Sequence, residues 1–313
     1  MSQLDLVTGA FSYSGSHIAR RLLDAGHQVR TLTHHPERGH PLRDQVDARR
    51  YRFDDPAQLA RSLTGVTTLY NTYWVRFDHG ASTYRNAVES SRTLFTAARR
   101  AGVERIVHVS ITNPSVASPL PYFRGKALVE SDLAQSGSPY SIVRPTWLFG
   151  GGRDVLVNNI AWILRRMPVF PVPGERPFGW GPGRYRVQPV HVEDLARLCV
   201  QAAGDDGDTV IDAAGPEQMS FAEAVALVRS AVGGFAPIVP VPSQLMVLAA
   251  HGLGALLSDV VLTRDEISGL TAGLLVSDDP PLGELAFSAW LDEHADEIGR
   301  RYANELDRHF VAA

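Results

Sequence analysis

The sequence predicts an α/β fold: a doubly wound parallel sheet with helices on both faces and a smaller carboxyl-terminal lobe. First, the stretch from Leu4 to Val29 reads as strand, tight turn and helix, because a short apolar run and a glycine-containing turn precede apolar positions at helical spacing. Second, further short apolar runs alternate with helical patterns, among them Ile106 to Val109, as in strands covered on both faces. Third, 313 residues, 44% of them hydrophobic, suffice for one large domain or a domain with a smaller lobe.

The turn after the first strand has the composition of a dinucleotide-binding motif. Gly9 and Gly15 allow backbone amides at a helix N-terminus to approach a pyrophosphate, which a Cβ would hold away. Ser12 stands where the usual motif has another glycine, and its hydroxyl can itself donate to a phosphate. Taken alone, the motif fits a plain strand, turn and helix equally well. The residues of this turn that we expect at the cofactor are Gly9, Phe11, Ser12, Tyr13, Ser14 and Gly15.

The end of the second predicted strand indicates which dinucleotide binds. A carboxylate at this position selects NAD(H), whereas a cation accepts the extra phosphate of NADP(H). Thr33, His34, His35 and Arg38 lie here and the strand does not end in an acid, so NADP(H) is preferred and NAD(H) is possible. The adjacent histidines point in different directions and no carboxylate or cysteine cluster supports them, so no metal site is expected.

Residues after the third and fourth strands meet the same edge of the sheet, where open α/β sheets bind ligands. Asp54 is a candidate to face the adenine, whereas Asp55 before Pro56 fits a helix N-cap. Tyr73 and Trp74 are bulky for a strand end. They wall the nicotinamide or substrate pocket, or they fill the core under the next helix.

Charge and composition argue against several classes of partner. The formal net charge of −4 gives no electrostatic reason to expect nucleic acid or an anionic membrane surface. No apolar run approaches bilayer length and no secretory leader pattern opens the sequence, so we expect a cytoplasmic protein. The one cysteine, Cys199, lies in a helical pattern and is expected in the core rather than as a nucleophile.

Lys126 is the one lysine of a chain in which Lys and Arg together number 30. The sequence uses arginine wherever else it needs a cation, which suggests that a guanidinium does not serve at this position. Lys126 follows Tyr122 by four residues, so the two side chains share one face of a helix that begins at the prolines of ASPLP. Gly125 between them permits close approach to a ligand.

Several segments together resemble a known family. They are VTGAFSYSG, a hydroxyl residue after the fifth strand, Tyr122-x-x-x-Lys126 and SIVRPTWLFGGG. The set resembles the short-chain dehydrogenase/reductase superfamily. The chain length and the segment YRVQPVHVEDLA are similar to its extended and atypical branch, which includes nucleotide-sugar epimerases, dehydratases and members resembling a respiratory complex I accessory subunit. The likeness extends over about residues 4 to 200.

The resemblance implies catalytic roles. Tyr122 would be the general acid/base, while Lys126 would lower the pKa of Tyr122 and hold the nicotinamide ribose. The chemistry agrees, because a phenol with an ordinary pKa near 10 needs a nearby cation to exchange protons at neutral pH. Thr112 or Ser110 would polarise the substrate oxygen, although Ile111 stands where the family usually has a second hydroxyl.

The resemblance also implies binding roles. Pro145 would line the nicotinamide, and Arg186, with Arg184 close by, would meet a diphosphate as in nucleotide-sugar members. The chain departs from the family at Ser12 and in the segment after the fourth strand, where small residues are usual. Besides the residues of the glycine turn, the expected cofactor contacts include Asn71, Thr72, Tyr73, Lys126 and Pro145.

The order of the segments predicts the domain organisation. Residues 1–150, with 187–215 returning to them, are expected to form the NAD(P)-binding Rossmann domain, and residues 151–186 and 216–313 the lobe that covers the substrate. The stretch PVFPVPGERPFGWGPGRYR is loop-like by composition. One helical stripe in the tail, a core or dimer face, contains Trp290, Leu291, Ile298, Tyr302, Leu306 and Phe310.

The favoured function is an NAD(P)-dependent oxidoreductase that moves a hydride between the nicotinamide and a carbonyl or alcohol carbon of a small substrate. An apolar or aromatic substrate is expected from Tyr73, Trp74, Trp147, Phe149 and Trp180. A nucleotide-sugar epimerase or dehydratase with tightly held NAD(P) is an alternative that Arg186 favours. A non-catalytic NADP(H)-sensing protein is a second alternative. The family is compatible with a monomer or a homodimer.

Overall fold

The computed structural model describes residues 3–152, 154–174 and 184–309. The chain divides into two units, Met1–Pro145 with Val192–Ala213 and Thr146–His191 with Ala214–Ala313. Each unit contains a hydrophobic core of its own.

The first unit is built on a seven-stranded parallel sheet in the order β11-β6-β5-β4-β1-β2-β3. The order reverses between β1 and β4, and the crevice at such a reversal is where doubly wound sheets bind ligands. This Rossmann-type sheet confirms the predicted fold class. Its strands are β1 (Leu4–Thr8), β2 (Gln28–Thr33), β3 (Val46–Arg50), β4 (Thr68–Asn71), β5 (Arg105–Val109), β6 (Tyr140–Pro145) and β11 (Thr209–Ala213).

Helices cover both faces of this sheet. On one face α1 packs against α6. On the other face α3 packs against both α2 and α4, over a core that includes Leu6, Phe95 and Ile106. Asp55 caps α2 by accepting a hydrogen bond from the Gln58 amide, with Pro56 in the first turn, as the sequence predicts. The helices are α1 (Tyr13–Asp24), α2 (Pro56–Leu63), α3 (Tyr84–Ala101), α4 (Pro121–Ala134) and α6 (Val192–Ala202).

The second unit combines helices with three two-stranded sheets, in which β7 pairs with β10, β9 with β12 and β8 with β13. An aromatic core holds it together, with Phe149 and Phe287 fully buried. The strands are β7 (Trp147–Phe149), β8 (Phe170–Pro173), β9 (Arg186–Val187), β10 (Pro189–His191), β12 (Met219–Ser220) and β13 (Ile238–Val241). The helices are α5 (Leu156–Arg166), α7 (Phe221–Ala231), α8 (Ser243–Leu257), α9 (Arg264–Thr271), α10 (Phe287–His294) and α11 (Glu305–His309).

The carboxyl-terminal segment is not the single helix that its apolar stripe predicts. Turns separate α10 from α11, and Gly299 lies between them with a φ of 70°. A Cβ at Gly299 would lie 2.6 Å from the carbonyl carbon of Ala161, so close packing requires glycine here. Phe310, the last residue of the predicted stripe, lies outside the described residues.

Two further expectations concern single features. Cys199 is fully buried in α6, where burial raises the pKa of its thiol and leaves little thiolate to act as a nucleophile. In the part of the chain that the structure describes, none of the helices has the length and apolar character needed to cross a membrane.

Candidate functional site

The turn between β1 and α1 is tight because both of its glycines are sterically required. Gly9 has a φ of +68°, and a Cβ at Gly15 would lie 2.2 Å from the Gly9 carbonyl oxygen. The Ser12 hydroxyl donates to that same oxygen over 2.6 Å and does not cap the helix. The first-turn amides of α1 therefore lack a side-chain cap from Ser12, which suits an anion at this N-terminus.

The other predicted residues of this turn have different environments. Phe11 is 3% exposed and its ring packs 5.1 Å from that of His40. Tyr13 lies edge-on to His17, and Ser14 is partly exposed in the first turn of α1. The backbone of this turn, rather than the Phe11 side chain, is therefore the part that can contact a phosphate.

A buried polar network joins the ends of β1, β4 and β5. The Thr8 hydroxyl donates to the Asn71 side-chain oxygen over 3.2 Å and accepts from the Thr72 amide over 2.8 Å. The Asn71 side-chain amide donates to Nδ1 of His108 over 3.1 Å. Burial, and then the Lys126 charge, hold the pKa of His108 well below its usual value, so this imidazole is neutral. The network fixes the loop that carries Tyr73 and Trp74.

Four rings cluster after the carboxyl ends of β2, β3 and β4. Tyr51 lies 5.7 Å from His34, 4.2 Å from Phe53 and 5.4 Å from Tyr73, measured between ring centroids. The Tyr51 hydroxyl is buried and has no hydrogen-bond partner within the described ranges. Tyr51 and Phe53 were not singled out in the sequence, because nothing in the β3 pattern marks them apart from core residues.

This edge of the sheet is also basic. Burial, followed by the charges of His35 and Arg50, lowers the pKa of His34. Arg50 lies 3.5 Å from the Glu37 carboxylate, in a pair open to solvent and therefore weak. Sequence analysis did not select Arg50, since it belongs to a strand that lies beside β2 only in the folded sheet.

Three other predicted cofactor residues lie at this edge. The Asp54 carboxylate is 78% exposed and lies 3.5 Å from Nε of Arg52. Thr33 accepts a hydrogen bond from the His35 amide through its hydroxyl, and Arg38 is partly exposed. Asp54 and Arg52 therefore form an ion pair that is open to solvent.

Tyr122 and Lys126 lie on α4 within a group of aromatic rings. Lys126 is 3% exposed, and its Nζ donates to the Val109 carbonyl over 2.9 Å and lies 4.8 Å from the centre of the Trp74 ring. Trp74 stacks on Tyr84 at 6.0 Å. The Tyr122 ring stands perpendicular to both, at 6.0 Å and 5.9 Å. We call Trp74, Tyr84 and Tyr122 the aromatic box of Lys126.

Gly125 makes room for this box. A Cβ at position 125 would lie 2.8 Å from Cη2 of Trp74, closer than real side chains approach. Gly125 stands out in the sequence because it lies between Tyr122 and Lys126, whereas no motif in the sequence marks Tyr84. The Thr83 N-cap of α3 is the local signal that could have placed Tyr84 at a helix start.

The charge of Lys126 is set by burial and by Glu130. Burial lowers the pKa of Lys126 to about 7, against an opposing effect of Glu130 one turn along the helix. Glu130 is itself held by Arg144, whose guanidinium donates to it at 3.0 Å and 2.5 Å. A bidentate pair of this kind fixes the carboxylate beneath the lysine.

The two candidate hydroxyls after β5 differ in their bonding. The Thr112 side chain is fully buried and donates to an Asp212 carboxylate oxygen over 3.2 Å. The Ser110 hydroxyl is also buried, but it has no partner among the residues that the structure describes. Pro145 accepts from the Thr112 amide over 3.0 Å, which ties the end of β6 to this loop. The Thr112 hydroxyl is therefore engaged within the protein, whereas the structure shows no such bond for Ser110 in the described part of the chain.

The predicted substrate residues of the second unit lie within that unit. Trp147 is 5% exposed and Phe149 is fully buried, and both pack against Phe287. Arg186 is exposed on β9. The pKa of Glu223 is lowered mainly by its hydrogen bonds with Ser220, and the Arg186 charge adds a smaller effect in the same direction. Trp180 lies outside the described residues.

The sheet, the glycine turn and the Tyr122–Lys126 helix define a Rossmann-type protein of the NAD(P)-dependent enzyme class. Residues 6–212 match the sequence model of the family described as NAD dependent epimerase/dehydratase. The chain belongs to this family, which confirms the resemblance to the extended branch of the short-chain dehydrogenases. The match extends from β1 to β11 and therefore includes every strand of the parallel sheet.

Individual relatives include both enzymes and assembly proteins. The photosystem II assembly factor Ycf39 of Guillardia theta is 25% identical over 80% of this chain and 76% of its own. The mitochondrial NADH dehydrogenase 1 alpha subcomplex subunit 9 of Arabidopsis thaliana is 22% identical over 87% of this chain and 70% of its own. Among solved structures, the triphenylmethane reductase of Citrobacter sp. in complex with NADP(H) has a TM-score of 0.75 at 18% identity, covering 94% of this chain and 99% of its own. This last likeness concerns the fold.

Proposed function

We propose that the protein is an NADPH-dependent reductase that converts a carbonyl group of a small apolar or aromatic molecule into an alcohol. The observation that carries this proposal is the placement of Tyr122 and Lys126 on one face of α4, with the sole lysine of the chain buried among aromatic rings. Bound NADPH would supply the hydride that the carbonyl carbon receives. Tyr122 would donate its phenolic proton to the carbonyl oxygen, and the Lys126 ammonium would stabilise the phenolate left behind.

The preference for NADPH is supported by charge at the ends of β2 and β3. Arg38 and Arg50 carry positive charge next to Thr33 and His34, where a 2′-phosphate would sit, and β2 does not end in an acid. The glycine turn would hold the diphosphate, because Gly15 keeps the N-terminus of α1 free of a Cβ. NADH would bind more weakly because it lacks the 2′-phosphate that these arginines would contact.

The substrate class is supported by the aromatic box and by Ser110. The clustered rings of Trp74, Tyr84 and Tyr122 favour a conjugated or aromatic carbonyl as the substrate. The Citrobacter enzyme of similar fold is a triphenylmethane reductase. We assign Ser110, rather than Thr112, as the hydroxyl that donates to the substrate oxygen, because the Thr112 hydroxyl bonds to Asp212.

Binding is tested first, by titrating the protein with NADPH and NADH while following nicotinamide fluorescence. We expect tighter binding of NADPH, and weaker binding by Lys126→Arg, because a guanidinium cannot occupy the site of a compact ammonium. Turnover is tested next, as NADPH consumption with a panel of aromatic and aliphatic ketones and quinones. Tyr122→Phe should lose at least about 100-fold in rate while keeping cofactor affinity. The absence of binding by either nucleotide would refute the proposal.

The family match favours one alternative, catalysis without net consumption of the cofactor. Epimerases and dehydratases of nucleotide sugars oxidise and re-reduce their substrate within one turnover, so NADPH absorbance would not change. Incubation with nucleotide sugars, followed by chromatography of the products, distinguishes the two. Conversion of a nucleotide sugar together with inactivity towards all carbonyls would select the alternative, and binding without turnover would indicate a sensing protein.

A further inference from the structure

Within the described part of the chain, the Lys126 ammonium contacts the Val109 carbonyl and the face of Trp74. An ammonium that is 3% exposed has lost most of its hydration, so it stays charged only where neighbouring groups replace that hydration. A carbonyl oxygen and an aromatic face both favour the charged form. The Trp74 ring centre is 4.8 Å from Nζ, within the range at which such contacts are effective.

Two features indicate that Trp74 contributes through the face of its ring rather than through its Nε1–H group. Its Nε1–H is buried and makes no hydrogen bond to any residue that the structure describes, so the polar atom of the side chain contributes nothing here. A phenylalanine or leucine would fill space without leaving a buried donor unpaired. The helix α4 also carries a glycine at position 125, where alanine would be better for the helix but would collide with the ring. Tryptophan, however, is the side chain that binds cations best through its face.

We propose that Trp74 is a positioning residue that holds the Lys126 ammonium charged and in place, and so acts on Tyr122 through Lys126. The catalytic part of this inference rests on the proposed function, whereas the contact with the lysine does not. A role for Trp74 in catalysis would explain why a bulky aromatic follows β4 at this point.

Two charged or titratable groups besides the aromatic rings act on Lys126 within the described ranges. Glu130, on the same helix, favours the charged form, and His108 on β5 is neutral. The phenols of Tyr84 on α3 and Tyr122 on α4 pack against the Trp74 ring. Because burial brings the pKa of Lys126 to about 7, a modest loss of stabilisation changes its charge at neutral pH. Loss of the ring face destabilises the ammonium and therefore lowers this pKa.

The sole lysine makes a direct test possible. Protein grown with [13Cε]lysine gives one lysine signal, and its chemical shift against pH reports the protonation of Lys126. In Trp74→Leu the pKa of Lys126 should fall by about one unit, the size expected for a desolvated contact between a cation and an aromatic face. Trp74→Phe should retain part of the effect, because it keeps a smaller ring. Trp74→Met serves as a second ring-free variant if the leucine variant does not fold.

Trp162→Leu is a matched control. The Arg166 guanidinium lies over the Trp162 ring, 5.3 Å from its centroid. Because Trp162 belongs to the second unit, its replacement should leave the titration of Lys126 unchanged. Equal pKa values for Lys126 in the wild type and in both ring-free variants would overturn the inference.

The titration uses neither cofactor nor substrate, so it separates this inference from the proposed function. Suppose that the lysine pKa falls in Trp74→Leu but that none of the tested carbonyl compounds supports NADPH consumption. The contact between Trp74 and Lys126 then stands, and the reductase proposal fails. If turnover occurs, it should fall as the pH rises through the lysine pKa, because Lys126 then loses its charge. This alkaline limb of the pH profile should move with the lysine pKa in the Trp74 variants. A profile that stays in place while the lysine pKa moves would overturn the catalytic part of the inference.

Discussion

Replacing Gly125 by alanine tests how firmly Trp74 is held against α4. In an unobstructed helix this change stabilises the protein by about 0.8–1 kcal/mol. Here the new Cβ would lie 2.8 Å from Cη2 and 3.1 Å from Cζ2 of Trp74. The indole cannot turn aside freely because Tyr84, Tyr122 and Lys126 lie around it. Overpacking of this kind costs about 1–3 kcal/mol, so we expect a net loss of about 1 kcal/mol in the free energy of unfolding.

Urea unfolding measures this change, with Gly252→Ala as the matched control. Gly252 lies within α8 and an added Cβ would meet nothing within 4 Å, so that variant should gain about 1 kcal/mol. In a Trp74→Leu background the obstacle is removed, and Gly125→Ala should then become stabilising. A Gly125→Ala protein as stable as the Gly252→Ala protein, in the presence of Trp74, would refute the packing that we describe.

Three other substitutions test separate parts of the first unit. Gly15→Ala would place a Cβ 2.2 Å from a carbonyl oxygen of the preceding turn and should weaken NADPH binding more than about tenfold in a fluorescence titration; affinity within twofold of wild type would contradict this. Burial raises the pKa of Asp47, but hydrogen bonds from Arg30 and Arg49 outweigh burial and hold this pKa below the ordinary value of 3.8. The resulting stability is present above pH 3.8 and is lost as the pH falls through the lower folded value. Because the Asp47 side chain is 46% exposed, solvent screening limits the effect, so Asp47→Asn should be only about 0.5 kcal/mol less stable at pH 7. The deficit should shrink below pH 4 in urea unfolding, and a deficit that is constant with pH would contradict the expectation. Glu130→Gln breaks the paired bonds to Arg144 and should cost about 2 kcal/mol in the same assay, whereas a loss below about 0.5 kcal/mol would show that the pair is dispensable.

Local patterns were enough to predict most of the first unit. Gly9 and Gly15 report a backbone geometry that only glycine allows, and the four-residue spacing of Tyr122 and Lys126 reports a shared helix face. The Asp55 cap was likewise readable, because its hydrogen bond reaches only three residues ahead. The second unit was harder to predict, and α8 and α9 were not expected from the sequence. Gly299 interrupts the carboxyl-terminal segment because it packs against Ala161 of α5, a helix far away in the chain.

The candidate site shows the same division between local and long-range information. The sequence placed Ser12, Ser110 and Thr112 near a ligand edge, but it could not show which hydroxyls bond within the protein. Ser12 donates to Gly9, and Thr112 donates to Asp212, a residue 100 positions away. Side-chain bonding of this second kind depends on which strands become neighbours.

By itself the sequence determined the parallel α/β sheet, the glycine turn and the pairing of a tyrosine with the sole lysine on one helix. These features follow from backbone conformation and from spacings of a few residues, so they do not depend on contacts between distant segments. Only the tertiary structure decided what the lysine contacts, namely Trp74 from the end of β4 and Val109 from the end of β5. It also decided that Tyr84, from the start of α3, stacks on Trp74. The physical reason is that parallel strands bring their carboxyl ends together from positions far apart in the chain, so the contacts at that edge are set by strand order.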